Sequence, residues 1–287
     1  MAEKTIIKTL YNGSRVAVHP ETELEQVSDM KTFMQTLNAQ GTSAAEVRKA
    51  IEAGYFRRAR KTFTLADLSA AVASGDYNKY DILPGDYFRG ASGYDYIFAG
   101  HNPMRGTYAG YPVEVDHAGL IVNTHTTTKW NNANDTTGGY VSSVLHSYLV
   151  NTVLPKVKTD LGGVSHLCAH KKLYSTAITA GRYNRYGSNT GASSSWAWSD
   201  NQYIAALSEV QVYGSIVWSS SGYDTGEADQ QLEVFRRFKH TEIFGDEYPW
   251  LRDVVSSSIA ADAGSYGGAD YSSASGAYYA AGLIAFH

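Results

Sequence analysis

The chain is poor in charge, proline and cysteine: charged residues make up 18% of 287 positions, with 6 Pro and 1 Cys. A lone thiol, Cys168, excludes an intrachain disulfide framework and is in keeping with folding in a reducing cytoplasm. No apolar run approaches the ~18 residues a membrane helix needs, and Met1-Ala2-Glu3-Lys4 lacks the apolar stretch of a secretory leader. The net charge of −4 argues against nucleic acid or an anionic membrane as partner, since either calls for a basic patch. The one basic cluster, Arg57-Arg58-Ala59-Arg60-Lys61, reads as a solvated helix end favoured by the macrodipole.

Tyrosine is what the chain has in excess. The 22 Tyr dominate its aromatic content, which suits a β-rich protein with a polar-aromatic surface. The length allows one large or two ordinary domains.

Local signals divide the chain. Thr5–Leu10 and Arg15–His19 flank Asn12-Gly13, a strong hairpin signal. Capping boxes at Thr22-Glu23-Leu24-Glu25 and Ser43-Ala44-Ala45-Glu46 open amphipathic helices towards Asn38 and Gly54. Thr64-Leu65-Ala66-Asp67 opens a third, through Ala73, stopped near Gly75. Helical character then fades, so the boundary falls near residue 75, separating 1–75 from 76–287. The second part carries strand candidates at Tyr94–Ala99, Gly119–Asn123 and Tyr203–Val212. It also carries helix candidates at Tyr140–Leu154, ending at Pro155, and around Gly226–Phe238. The fold class expected is α+β.

The segment Ser256–His287 is built almost wholly from Gly, Ala, Ser, Tyr and Asp, without Lys, Arg, Glu or Pro. Such composition belongs either to disordered linkers or to contact surfaces, where Tyr gives amphipathic area and small residues adapt their hydrogen bonds. Its tyrosines and the apolar close Gly282-Leu283-Ile284-Ala285-Phe286 favour an ordered surface. Tyr266, Asp270, Tyr271, Ser272, Ser273, Tyr278 and Tyr279 are the candidate ligand-binding residues, with Trp250 packed beneath them.

Catalytic chemistry is not legible. His166, Cys168 and His170 would share one face of a strand, but three ligands in a row cannot easily wrap a tetrahedral ion. A half-buried strand is expected there, and no metal. The chain holds no P-loop, nucleophile elbow or dinucleotide fingerprint. The neighbouring carboxylates Asp246 and Glu247, or Asp224 and Glu227, are better read as solvated than as a glycosidase pair. Asn131-Asn132-Ala133-Asn134-Asp135 lacks EF-hand spacing and reads as a polar turn. No catalytic residue and no cofactor are expected.

Several segments, in order, carry a resemblance. They are Val18-His19-Pro20-Glu21-Thr22; Ile82-Leu83-Pro84-Gly85-Asp86; Asp116-His117-Ala118-Gly119-Leu120-Ile121; and Trp130-Asn131-Asn132 with Gly138-Gly139-Tyr140-Val141-Ser142-Ser143. Leu207-Ser208-Glu209-Val210, Tyr248-Pro249-Trp250-Leu251-Arg252 and the closing Gly282–Phe286 follow. Together they resemble a domain of phage and prophage tail-fibre proteins, similar to the C-type-lectin-like receptor-binding domains of phage tropism proteins. Ile284-Ala285 and Asp253 depart from that pattern, where Arg-Pro and Ser are usual. The resemblance implies a non-enzymatic virion subunit, a homotrimer, that attaches to other virion proteins through 1–75. It would recognise a host-surface glycan or protein through 76–287. A head-fibre or capsid-decoration protein, or a glycan-degrading tail enzyme, are the alternatives. The tail also resembles cassettes diversified by retroelements, although it holds no Asn.

Overall fold

A computed structural model describes residues 6–9, 15–18, 60–104, 115–170, 173–177, 195–198, 203–215, 217–218 and 231–287. The chain divides into two compact units, Met1–Ala59 and Arg60–His287. In the first, β1 (Ile6–Thr9) pairs antiparallel with β2 (Arg15–Val18), with Ile6 opposite Val18, at the place the Asn-Gly signal indicates. The two helices expected between residues 22 and 54 lie outside the described residues.

The second unit opens with α1 (Leu65–Ser74), whose start follows directly from sequence. The Thr64 hydroxyl accepts from the Asp67 amide at 3.1 Å, and the Asp67 carboxylate accepts from the Thr64 amide at 3.2 Å. Gly75, at φ 67°, closes the helix in the left-handed region. Leu68, Ala71 and Val72 of α1 lie in the same apolar core as Tyr96 and Phe98. The division therefore precedes α1 rather than following it near residue 75, because a helix whose apolar stripe fills a sheet's core belongs to that sheet. Arg60 is likewise not a solvated helix end. Its Nε donates to the Gly85 carbonyl at 2.5 Å, and its guanidinium sits 5.0 Å from the Tyr87 ring.

The central sheet has five strands: β3 (Tyr87–Arg89), β4 (Asp95–His101), β5 (Ala118–Lys129), β8 (Ala205–Ala206) and β12 (Ala277–Phe286). Their spatial order is β3-β4-β5-β12-β8, with every pairing antiparallel. Two short strands, β6 (Leu173–Ala177) and β7 (Ser195–Trp198), pair separately. Strand alternation sends successive residues of β5 and β12 into two cores. Leu120, Val122, Ile284 and Phe286 meet Leu145, Leu149, Val153 and Val157 on one face. Ile121, Leu283 and Ala285 meet Val234, Phe235, Ile243, Phe244 and Leu251 on the other. Burial on both faces is why the close of β12 is continuously apolar rather than alternating. Each Leu, Ile, Val or Phe among them contributes on the order of 1.5–3 kcal/mol when fully buried.

The helical stretch after β5 runs past the expected stop. A 3₁₀ turn (Tyr140–Ser142) leads to α2 (Val144–Tyr148), a π-helical segment (Leu149–Val153) and α3 (Leu154–Asp160). Pro155 stands in the first turn of α3, and the Leu154 amide donates to the Leu149 carbonyl, five residues back. The wider turn absorbs the proline, which has no amide and would crowd the preceding carbonyls in a regular helix. The strand expected over 203–212 is only β8. After it, Ser208 and Gln211 form a capping box that starts α4 (Glu209–Tyr213).

Two shorter helices, α5 (Glu233–Arg237) and α6 (His240–Phe244), precede a second sheet. That sheet comprises β9 (Trp250–Val254), β10 (Ile259–Ala263) and β11 (Ala269–Ser273), in the order β11-β10-β9. Two buried tryptophans tie it to the larger sheet: Trp130 Nε1 donates to the Leu251 carbonyl at 3.1 Å, and Trp250 Nε1 to the Thr128 carbonyl at 3.0 Å. The architecture is α+β with antiparallel sheets. Among the described residues, no helix is long and apolar enough to cross a membrane.

A chain beginning at Arg60 is expected to fold on its own, because it forms a compact unit whose described core residues run from Phe63 onward. A single cooperative melt by circular dichroism checks this; a broad, non-cooperative melt would show that Met1–Ala59 is needed. Starting at residue 76 instead would strip Phe63, Leu68, Ala71 and Val72 from the core.

Candidate binding surface

The Tyr/Ser/Gly-rich tail forms β10, β11 and β12, so it is woven into both sheets. The β10–β11 hairpin pairs Ile259 with Ser273, Ala261 with Tyr271 and Asp262 with Asp270. Its turn runs from Gly264 to Gly268, closed by the Gly264 amide on the Gly268 carbonyl at 3.1 Å. Gly267, at φ 82°, takes the left-handed position the turn requires. Tyr266 stands at the crest with its side chain fully solvated, at 100% relative exposure.

The base of this hairpin is fixed from below. His240 Nε2 lies 2.6 Å from the Gly264 carbonyl, to which it donates, and the Tyr213 hydroxyl donates to the Gly268 carbonyl at 3.2 Å. The two rings meet edge to face at 5.6 Å. Burial pushes the His240 imidazole below its usual value, against the raising effect of the Gly264 hydrogen bond. Neutral imidazole is therefore the form that serves as donor.

A buried carboxylate supports the flank. Glu209, at 0% exposure, accepts the backbone amides of Val217 at 3.1 Å and Trp218 at 2.9 Å. Its own amide is held by the Asp253 carboxylate at 2.7 Å. Trp218 is thereby set beneath Tyr271, with ring centroids 4.6 Å apart in an edge-to-face arrangement. Val217 beside it is exposed. On the remaining side, the Ser273 hydroxyl donates to the Asn134 side chain at 2.6 Å.

The seven candidate residues are thus not one patch. Tyr266, Asp270, Tyr271, Ser272 and Ser273 share the hairpin, whereas Tyr278 and Tyr279 lie on β12 and alternate to opposite faces. Tyr278 is half-buried, edge-on to the fully buried Trp250 at 4.7 Å. Tyr279 is half-buried too, and its amide donates to the Tyr248 carbonyl at 3.1 Å. Trp250 lies beneath, as expected. Trp218, Tyr213, His240 and Glu209 were not legible as parts of the site. The Ser208-x-x-Gln211 box announces α4, but nothing in the sequence says that this helix faces the tail.

A second polar cluster lies on the larger sheet, where β5 bulges at His125, a residue at φ 53°. His125 Nδ1 is 2.9 Å from Glu247 Oε1, and Nε2 is 3.0 Å from Asp95 Oδ2. Arg89 pairs with Asp95 at 2.8 Å, and the Asn123 amide donates to Glu247 at 2.6 Å. Both imidazole nitrogens and both carboxylates are occupied by one another, so the group straps β3, β4 and β5 to the segment before β9. Asp246, the neighbour of Glu247, is exposed and outside it.

The sequence matches no protein-family model, no curated protein and no solved structure.

The strand expected over His166–His170 is absent. His166 ends a 3₁₀ turn (Val164–His166) and stacks on Phe286 at 5.8 Å, while the Cys168 amide donates to the Ala285 carbonyl at 2.9 Å. Burial raises the Cys168 thiol to about 11, so it stays protonated at neutral pH. Among the described residues, no three His, Cys, Asp or Glu are grouped to hold a metal ion.

Proposed function

We propose that the chain is a non-enzymatic binding protein, a tail-fibre or receptor-binding subunit of a phage virion, with a C-type-lectin-like domain over the unit Arg60–His287. The observation that carries this is the β10–β11 hairpin. It presents Tyr266 fully exposed and Tyr271 partly exposed on a turn locked by Tyr213 and His240. Aromatic rings held on a rigid base, flanked by Ser272, Ser273 and Asp270, bring large contact area at small entropic cost. The biological setting rests on the order of sequence segments that resembles phage fibre proteins. The ligand is a host-surface glycan or protein. The unit Met1–Ala59 joins the subunit to other virion proteins in a homotrimer, where several weak sites act together.

The test is binding of purified protein to a panel of bacterial surface polysaccharides and surface proteins, read by interferometry. Tyr266→Ala and Tyr271→Ala are each expected to weaken binding by about 1–3 kcal/mol. Tyr266→Ala should barely move the melting temperature, since a solvated side chain contributes within about ±0.5 kcal/mol, whereas Tyr271→Ala also loses its ring contact with Trp218. Unchanged binding in both variants would place the contact surface elsewhere. Reducing-sugar release from the same polysaccharides would replace the binding role with an enzymatic one.

A further inference from the structure

Asp262 lies in the middle strand of the smaller sheet with 2% of its surface exposed. Among the described atoms its Oδ2 has no hydrogen-bond partner, while the Ser272 hydroxyl serves the carboxyl group. Directly across the ladder stands a second carboxylate, Asp270. Like charges opposed in a cross-strand pair repel, and a buried ionised carboxylate without full partners is costly. We propose that the Asp262–Asp270 pair makes the β10–β11 hairpin a pH-responsive element, tight when Asp262 carries a proton and loosened when both carboxylates are charged.

Burial pushes Asp262 up to about 6; the Ser272 hydrogen bond opposes it, and the charge of Asp270 adds a smaller raising effect. A carboxyl raised in the folded state contributes stability that is fully present below its ordinary value. That stability is lost as pH rises through the folded one. The window therefore runs from about pH 4 to about pH 6, with a plateau above. Among the described residues, the titratable groups packed around the hairpin include Tyr213 and Glu209 on α4, His240 on α6 and Lys239, whose side chain lies beside Gly267. Burial raises the Tyr213 phenol, with Asp262, Glu209 and Asp270 adding to it, so it stays neutral throughout. His240, lowered by burial, acts in the opposite sense, since stability is lost as pH falls below its ordinary value of 6.5.

Comparison of the full chain with its Asp262→Asn variant cancels the His240 contribution. Amide exchange of residues 263–272, without ligand, is measured near pH 5 and near pH 7.5. The wild-type-to-variant protection ratio is expected to fall about tenfold between them, from the raised Asp262 value. Asp270→Asn, at an exposed position, should shrink that fall. Carbon-13 titration of the Asp262 carboxyl in the wild type gives a reading that needs no variant, with a midpoint near 6 expected. A protection ratio that stays flat, or a midpoint near the ordinary 3.8, overturns the proposal. Because no ligand is present, these outcomes are independent of the binding role proposed above.

Discussion

Trp250→Ala is expected to unfold the larger unit or to lower its stability by roughly 3–5 kcal/mol, the cost of deleting a large aromatic side chain from a packed core. Trp250 is fully buried, supports Tyr278 from below, and bonds the Thr128 carbonyl across from β9 to β5. Its loss opens a cavity between the two sheets and also leaves a carbonyl without its donor, for about another 1 kcal/mol. Domains of this kind have only about 5–15 kcal/mol in hand. Urea unfolding followed by circular dichroism checks it, with Trp250→Phe expected between wild type and alanine. A midpoint within the scatter of the wild type would mean that the two sheets are not joined through this residue.

The second large effect belongs to Glu209. Glu209→Ala removes the acceptor for the Val217 and Trp218 amides, which would cost on the order of 2–4 kcal/mol, because each donor left unmade costs about 1–3 and both are only partly buried, towards the lower end of that range. Releasing Trp218 also takes away the ring under Tyr271, so ligand binding should weaken alongside stability. Glu209→Gln keeps one oxygen acceptor at the same length and should lose less on both counts. Thermal melts and the Tyr271 ring resonances read the two consequences separately. A Glu209→Ala protein as stable as wild type, with unshifted Tyr271 resonances, would show that the clamp does not hold this flank.

Several of the segments singled out in the sequence have physical roles in the fold. Tyr248-Pro249-Trp250-Leu251-Arg252 leads into and forms β9, a strand buried along its whole length. Arg252 is itself buried, with Nη1 donating to the Ala206 carbonyl at 3.2 Å and to the Gln211 side chain at 3.0 Å. Asp253 holds the Glu209 amide at the start of α4. Leu207-Ser208-Glu209-Val210 is the capped beginning of that helix. These blocks build the platform on which the hairpin stands.

Short-range signals determined a good part of the molecule from sequence alone. The box at Thr64–Asp67 and Gly75 set both ends of α1, and the Asn12-Gly13 pair marked the β1–β2 hairpin. Continuous apolar residues at Gly282–Phe286 marked a buried strand, and the tyrosines of the tail argued for an ordered segment. Each of these rests on interactions within a few residues, where propensity, caps and turns act. Long-range packing decided the rest. Nothing local distinguishes an amphipathic helix that precedes a domain from one that completes its core, so α1 was assigned to the wrong side of the division. Strand alternation sent Tyr278 and Tyr279 to opposite faces, but which face is core depends on the elements that cover it. The same holds for polar residues. Nothing in the sequence marks Asp262 and Glu209 as buried; the sheet and α4 enclose them, one without full partners and the other bonded to backbone amides. Burial and charge pairing are properties of chain segments brought together from far apart in sequence, and a linear order of residues does not contain those distances.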